Sequence, residues 1–353
     1  MNSQSTNEHL GKLNAALKEW EGYRDSIEAE LKEIISRGPA SLLNIVQYHM
    51  GWRDEKGCPS QGKSGKFVRS TLCLLSCQAV GGSVDQILPA AAAVEFIHNF
   101  SLIHDDIQDG SYERHGQPTV WRLWGQSQAM NTGDLMFALA SLALVKLQET
   151  EVLAEQIVHS FRLLAEACQE LCEGQYLDIE YENRFDITIE DYLNMVRKKT
   201  AALIAVSTSL GAYLGQGGEK VLYFRQFGEA LGMAYQISDD VLGIWGSNER
   251  TGKPVEEDIQ QRKKTLPIVY ALRNNDSRDK AELERLYSQE RIEREDISTV
   301  VEILDRLGAR DYAQNLAEQY YRRALERLEA SGVEKERQAP LREIVYSLVE
   351  RNY

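Results

Sequence analysis

Pro89-Ala90-Ala91-Ala92-Ala93-Val94-Glu95-Phe96-Ile97-His98-Asn99-Phe100-Ser101-Leu102-Ile103-His104-Asp105-Asp106-Ile107-Gln108-Asp109 is the segment on which the reading of this chain turns. Its alanine-rich, uncharged start has high helix propensity. Carried on as helix, His98, Ser101, Asp105 and Asp109 fall on one stripe, because steps of three and four residues return to the same face. Two carboxylates one turn apart, with Asp106 beside them, repel one another, and core packing would not select them. Hard divalent cations would. An oxygen-only, carboxylate-rich donor set suits Mg2+, which keeps waters and bridges to phosphates. The segment therefore reads as half of a metal–diphosphate site whose other half lies further along the chain.

Outward from this helix, apolar residues recur at helical spacing and no stretch shows clean two-residue alternation between turn signals. Helices are predicted over about 10–37, 39–50, 66–80, 89–109, 128–149, 151–182, 189–215, 219–245, 260–273, 279–289, 294–306, 309–331 and 338–349. Polar loops are expected at 51–65, 110–118 and 246–261, and breaks at Asn274-Asn275-Asp276 and Gly332. There is no low-complexity linker and no fixed repeat. The chain of 353 residues, 43% of them hydrophobic, can bury a large core. It is read as all-α, one domain over 1–353 with ten or more helices and a flexible 1–9.

A net charge of −14 excludes a general nucleic-acid binder, which needs a basic footprint, but leaves room for one anion pocket reversed by metal and local cations. The cysteines, Cys58, Cys73, Cys77, Cys168 and Cys172, include two pairs one helical turn apart. Two readings stand for those pairs: small buried core residues, favoured, or a zinc site with unusual spacing. The odd count and the polar start Met1–His9 point to a reducing cytoplasm. No apolar run of about 20 residues is apparent, so no integral membrane segment is expected.

A second acidic element is Tyr235-Gln236-Ile237-Ser238-Asp239-Asp240-Val241-Leu242-Gly243. Paired acids amid apolar neighbours need a charge partner or ionise at a cost. With both elements in view, the chain resembles a trans-type polyprenyl diphosphate synthase of the all-helical isoprenoid synthase family. The resemblance runs from about Gly62 to Pro267. Asp105-Asp106-Ile107-Gln108-Asp109 matches the first aspartate-rich motif in full. Gly65-Lys66-Phe67-Val68-Arg69, Glu95-Phe96-Ile97-His98, Arg114-His115-Gly116-Gln117-Pro118-Thr119, Gly174-Gln175-Tyr176-Leu177-Asp178, Lys199-Thr200, Phe227-Gly228, Gln236 to Asp240, Gly252-Lys253-Pro254 and Lys263-Lys264-Thr265-Leu266-Pro267 follow in family order.

The resemblance implies a helical bundle around a central cavity and a Mg2+-dependent prenyltransferase. Asp105, Asp109 and Asp239 would ligate the metal on an allylic diphosphate, with Asp106 and Asp240 completing that shell. Arg114, Lys199 and Lys253 would draw charge from the leaving diphosphate. Lys66, Arg69, His98 and His115 would hold isopentenyl diphosphate without metal, Arg through its planar fork. Thr200, Gln236 and Gln175 would face the cation or diphosphate, and His104 would hold a backbone or loop group. Ile97, Phe100 and Ser101, before the first aspartate, would set product length, with Phe96 and Phe137 as deeper walls. Phe100 with the small Ser101 resembles geranylgeranyl and then farnesyl diphosphate synthases. The family is typically homodimeric, and the apolar helix at 128–146 would supply an interface.

Three positions depart from the pattern. His115 replaces the second arginine of an Arg-Arg pair, Gly243 replaces the last aspartate of the second motif, and Ser70 replaces a proline. Ser70 is expected to alter only a local turn, and Asp258 in the following loop is a candidate to compensate for Gly243. His115 keeps a class I terpene cyclase open as the alternative, and a non-catalytic partner subunit as a third. Retention of Lys66, Arg69 and His98 weighs toward elongation.

Overall fold

The computed structural model describes residues 20, 22–38, 40–60, 65–246, 257–273 and 277–350. Helix α1 (22–36) and α2 (Ala40–His49) precede α3 (Val68–Val80) and α4 (Leu88–Gln108). A short hairpin, β1 (Glu113–Arg114) and β2 (Gln117–Pro118), leads into α5 (Val120–Lys146). Then come α6 (Ala154–Tyr181), α7 (Ile189–Val196), a π-helical segment Arg197–Ala201, α8 (Ala202–Leu214) and α9 (Lys220–Trp245). Helices at Glu257–Gln260, Leu266–Leu272, Ser277–Tyr287, Arg294–Arg306, Ala309–Ala330 and Lys335–Glu350 follow. The all-α reading holds.

Several boundaries differ from expectation for local reasons. The predicted loop 110–118 contains the hairpin, whose two-residue turn His115-Gly116 has φ of 55° and 76°. Positive φ at both positions is the turn that matches strand twist, and histidine tolerates it better than most residues. Helix α5 begins at Val120 rather than near 128, with Gly125 (φ 79°, ψ 160°) interrupting it. The predicted helix 260–273 is broken, because Arg262 takes φ 59° and the chain re-enters helix only at Leu266-Pro267, with proline at an N-terminal position that needs no N–H. Lys66 lies before α3, since Phe67 adopts the left-handed region at φ 49°.

The chain divides into two compact units. The first comprises residues 1–165, 206–225 and 328–344. Its centre is α4, whose Ala90–Ala93 are fully buried; small side chains let neighbouring helices approach closely. Two stretches, Asp85–Gln108 and Val120–Glu149, prove long and apolar enough to cross a bilayer, contrary to the sequence expectation. In the first of these, 67% of the apolar window is buried inside the protein, as befits a core helix. A Cβ on Gly211 would lie 1.9 Å from the Cys73 carbonyl oxygen, so α3 contacts that turn of α8 backbone to backbone.

The second unit comprises 166–205, 226–327 and 345–353. Ile244, Ile259, Ile268, Leu286, Val300 and Leu304 belong to its apolar core. Helix α7 starts at a capping box: Thr188 Oγ accepts from Asp191 N, and the Asp191 carboxylate accepts from Thr188 N. All five cysteines are free thiols, and Cys73, Cys77 and Cys168 are buried as core residues.

Gly211→Ala should overpack the α3–α8 contact and destabilise the protein by about 1–3 kcal/mol, read as a lowered unfolding midpoint in urea. An unchanged midpoint would mean the two helices separate without cost.

Candidate active site

In the first unit, the C-terminal turn of α4 carries Asp105 and Asp106, and Asp109 is the C-cap. Carboxylates sit on the unfavourable end of the helix dipole there, and no basic residue lies in that turn to offset them. The compensating cation comes from the hairpin. Arg114 donates through Nε and NH2 to Asp106 Oδ1 at 2.9 and 2.8 Å, and its NH2 lies 3.6 Å from Asp105 Oδ2. Asp106 is buried at 2% exposure, so its carboxylate is committed to Arg114, while Asp105 and Asp109 remain partly exposed. Burial opposes the Arg114 charge, but Asp106, then Asp105 and Asp109, raise its pKa overall.

Asp105 and Asp109 thus offer hard oxygen donors on one face. Among the described residues no three His, Cys, Asp or Glu side chains form a group able to hold an ion. That donor set fits a cation such as Mg2+, which draws its remaining ligands from water and phosphate rather than from a protein cage.

Beside this end, Arg69 NH1 lies 3.2 Å from His98 Nε2. Arginine only donates, so His98 Nε2 accepts and the ring carries its proton on Nδ1. Burial, reinforced by the Arg69 and Arg114 cations, holds the His98 pKa well below its ordinary value. Lys66 is exposed, and its carbonyl accepts from Trp20 Nε1 at 3.3 Å. His115 is exposed at the hairpin tip. Ser70 corrects the expectation of a purely local role. It is fully buried, and its Oγ lies 2.9 Å from Glu95 Oε2, joining α3 to α4.

Among the chain-length candidates, Ile97 is buried and Ser101 Oγ donates to the His98 carbonyl at 2.7 Å. The Phe100 ring meets Phe137 of α5 edge-on at 5.5 Å between centroids. His104 holds a backbone group as expected, with Nε2 3.3 Å from the Met130 carbonyl oxygen. Gly133 is required there, because a Cβ would fall 2.3 Å from that nitrogen.

In the second unit, the acidic pair on α9 is split by burial. Asp239 is exposed and Asp240 is 5% exposed. Asp240 accepts from Tyr192 Oη at 2.5 Å, Leu266 N at 2.8 Å and Gln236 Nε2 at 3.0 Å. It ties α9 to α7 and to the start of the helix Leu266–Leu272. Burial pushes its carboxyl up to about 7, against the pull of those hydrogen bonds. Gln236 Oε1 accepts from Thr200 Oγ at 2.8 Å, so the amide of Gln236 bridges two of the expected site residues.

Thr200 and Lys199 sit on the π-helical segment, a distortion common at functional sites. Lys199 Nζ pairs with Asp178 Oδ2 of α6 at 2.5 Å. Gly174 permits that approach, because a Cβ would lie 2.2 Å from Lys199 N. Asp258 Oδ2 would lie 2.6 Å from a Cβ on Gly243, so the carboxylate fills the space vacated by the missing aspartate; Asp258 belongs to the short helix Glu257–Gln260 rather than to a loop. Lys264 is structural, donating to the Glu182 carbonyl at 2.8 Å between the rings of Phe185 and Tyr287. Lys253 lies outside the described residues.

Sequence reasoning missed Tyr192 and the pairing of Asp178 with Lys199. No local pattern marks Tyr192, whereas Asp178 stood in a quoted motif and needed only a partner.

The polyprenyl synthetase family model matches residues 60–304. A (2E,6E)-farnesyl diphosphate synthase of Mycobacterium tuberculosis is 33% identical over 329 residues, covering 92% of this chain and 90% of that protein. A geranylgeranyl diphosphate synthase of the same species is 40% identical over 247 residues, covering 70% and 69% respectively. The crystal structure of a polyprenyl synthetase from Streptomyces coelicolor superposes with a TM-score of 0.84 at 33% identity, covering 93% of this chain and 98% of that one.

Burial, with the Arg114 cation acting in the same sense, pushes the His49 pKa from 6.5 down to about 3, the hydrogen bond to Asn99 only partly opposing. A folded pKa below the unfolded one gives stability that is present above about pH 6.5 and lost as pH falls toward 3. His98 acts in the same sense. His49→Gln should flatten the fall in urea-unfolding free energy below about pH 6.5, by up to about 1.4 kcal/mol per pH unit; an unaltered slope would refute this.

Proposed function

Because the chain belongs to the polyprenyl synthetase family of prenyltransferases, we propose that it condenses isopentenyl diphosphate with an allylic diphosphate to a short-chain trans-polyprenyl diphosphate, geranylgeranyl or farnesyl diphosphate. The observation that carries this reading is the C-terminal turn of α4. Three carboxylates stand where the helix dipole disfavours them; Arg114 pairs with Asp106 at 2.8 Å and lies 3.6 Å from Asp105, and the partly exposed Asp105 and Asp109 make this turn oxygen-rich in the way a hard cation requires.

Asp105, Asp109 and Asp239 would hold Mg2+, which when bound supplies Lewis-acid assistance to departure of the allylic diphosphate. Arg114, paired with Asp106, offers positive charge to the departing oxygens. Lys199, oriented by Asp178, does the same from the π-helical segment. Lys66, Arg69 and His98 bind the second diphosphate, His98 as a neutral ring whose acceptor nitrogen is taken by Arg69. Gln236 holds Asp240 in place, donating to it while accepting from Thr200, and by the family resemblance these two side chains would face the allylic substrate.

We read 1–353 as one catalytic chain acting as a homodimer in the cytoplasm, without nucleic acid and without integral membrane anchorage. Exposed Met130, Phe137, Leu142 and Val145 on α5 support a self-association face, and five free thiols suit a reducing compartment. A terpene cyclase reading draws on His115 alone.

Labelled isopentenyl diphosphate with a panel of allylic starters should yield labelled polyprenyl diphosphate. Hydrocarbon from geranylgeranyl diphosphate alone, with no label uptake, would reject elongation. Chelation should abolish turnover and added Mg2+ should restore it. Asp105→Ala and Asp239→Ala should each lower kcat by about a hundredfold or more with circular dichroism unchanged, a size typical of lost charge stabilisation. His115→Arg should lower KM for isopentenyl diphosphate; a higher KM would make the histidine a tuned ligand.

A further inference from the structure

A buried polar chain crosses three helices of the first unit. Glu95 is 3% exposed, Ser70 0% and Asn99 8%. Asn99 Nδ2 donates to the Glu95 carbonyl at 2.8 Å and to Glu95 Oε1 at 3.1 Å, using both of its protons. Asn99 Oδ1 therefore accepts, and His49 Nε2, 3.1 Å away, must carry a proton. Ser70 Oγ has two oxygen neighbours, Glu95 Oε2 at 2.9 Å and the Phe67 carbonyl at 3.0 Å.

Proton counting bears on the state of Glu95. A serine hydroxyl has one proton. With Glu95 ionised, that proton is shared between the two oxygens or one Ser70 contact sets acceptor against acceptor, although the Ser70 N–H also donates to the Glu95 carboxylate. With a proton on Glu95 Oε2, each contact has a donor. His49 donates to Asn99, Asn99 to Glu95, Glu95 to Ser70, and Ser70 to the Phe67 carbonyl, all in one direction. Burial is the largest influence on the Glu95 carboxyl and raises its pKa overall, against the Arg69 cation and the hydrogen-bonding groups of Ser70, its backbone N–H included, and Asn99. The titratable groups beside the chain, His49 of α2 and His98 of α4, are both neutral, and Arg69 of α3 is the cation acting on it.

The chain ends where the second diphosphate is read. Ser70 adjoins Arg69, Phe67 adjoins Lys66, and Glu95 lies one turn before His98. We propose that Glu95 is an un-ionised carboxylic acid and a positioning residue that, through Ser70, holds Arg69 against His98 in the metal-free diphosphate site. The proposal rests on reading Lys66, Arg69 and His98 as the isopentenyl diphosphate site.

The test uses full-length protein and the variants Glu95→Gln, Glu95→Ala and Ser70→Ala. Glutamine can donate to Ser70 and accept from Asn99, so it reproduces the neutral acid but not a carboxylate. KM for isopentenyl diphosphate should stay within about twofold in Glu95→Gln and rise about tenfold in Glu95→Ala and Ser70→Ala, the size expected for one unsatisfied buried group. The KM for the allylic diphosphate and kcat should change little. A Glu95→Gln variant as impaired as Glu95→Ala would show that the charge matters and overturn the proposal. So would losses shared equally by kcat and both KM values, which mark a merely structural role. Infrared difference spectra of wild type minus Glu95→Gln at neutral pH provide a readout independent of turnover. A protonated carboxyl C=O band is expected in the wild type, and a carboxylate pair in its place would overturn the acid state. If wild-type protein takes up no isopentenyl diphosphate, the functional reading fails, and the infrared band still decides the state of Glu95.

Discussion

The ion pair between Arg114 and Asp106 lets α4 end as it does. A helix that finishes on Asp105, Asp106 and Asp109 concentrates negative charge where its own dipole is already negative. Arg114 reaches back from the hairpin with two donors on one carboxylate oxygen at 2.8 and 2.9 Å. Losing one partner of so buried a pair would leave an uncompensated charge, a cost of about 3–5 kcal/mol. The hairpin is thus part of the electrostatics of α4, and its tight turn at His115-Gly116 aims the arginine. Asp105 and Asp109, on the same turn, stay partly exposed.

The second acidic element solves the same difficulty without a cation. Asp240 is buried and takes three hydrogen bonds from Tyr192, Gln236 and Leu266 N. Its neighbour Asp239 is left exposed. In each element one aspartate is buried against a partner and another is partly or fully exposed. The two differ in what does the fixing: an arginine beside α4, and a hydroxyl, an amide and a helix N-terminus beside α9. At Gly243 the Asp258 carboxylate lies where a side chain would stand, 2.6 Å from a Cβ placed there.

In the proposed function, recognition of the two diphosphates divides along the same chemistry. The allylic end is assigned to acids that work through a metal. The isopentenyl end is assigned to a basic group in which His98 is kept neutral by burial and by Arg69. A second imidazole, His49, is also neutral, and with Asn99, Glu95 and Ser70 it forms a proton-ordered chain behind that basic group. Neutral polar groups serve well there, because they fix geometry without competing for the charge on the ligand.

Residue pattern alone determined the all-helical fold and both acidic elements, because helical periodicity and like-charge crowding are local properties, while the order of the motifs carried the family resemblance. The family match over 60–304 bears out that resemblance. Tertiary structure alone decided which aspartate of each pair is buried, that Ser70 joins α3 to α4, that α5 begins at Val120 and that the 260–273 stretch is broken. Each of these depends on a partner remote in sequence or on a backbone angle at one residue. Arg114 and Asp106 are near neighbours, but Tyr192 and Asp240 are 48 residues apart, and no periodicity encodes which distant hydroxyl will meet a carboxylate.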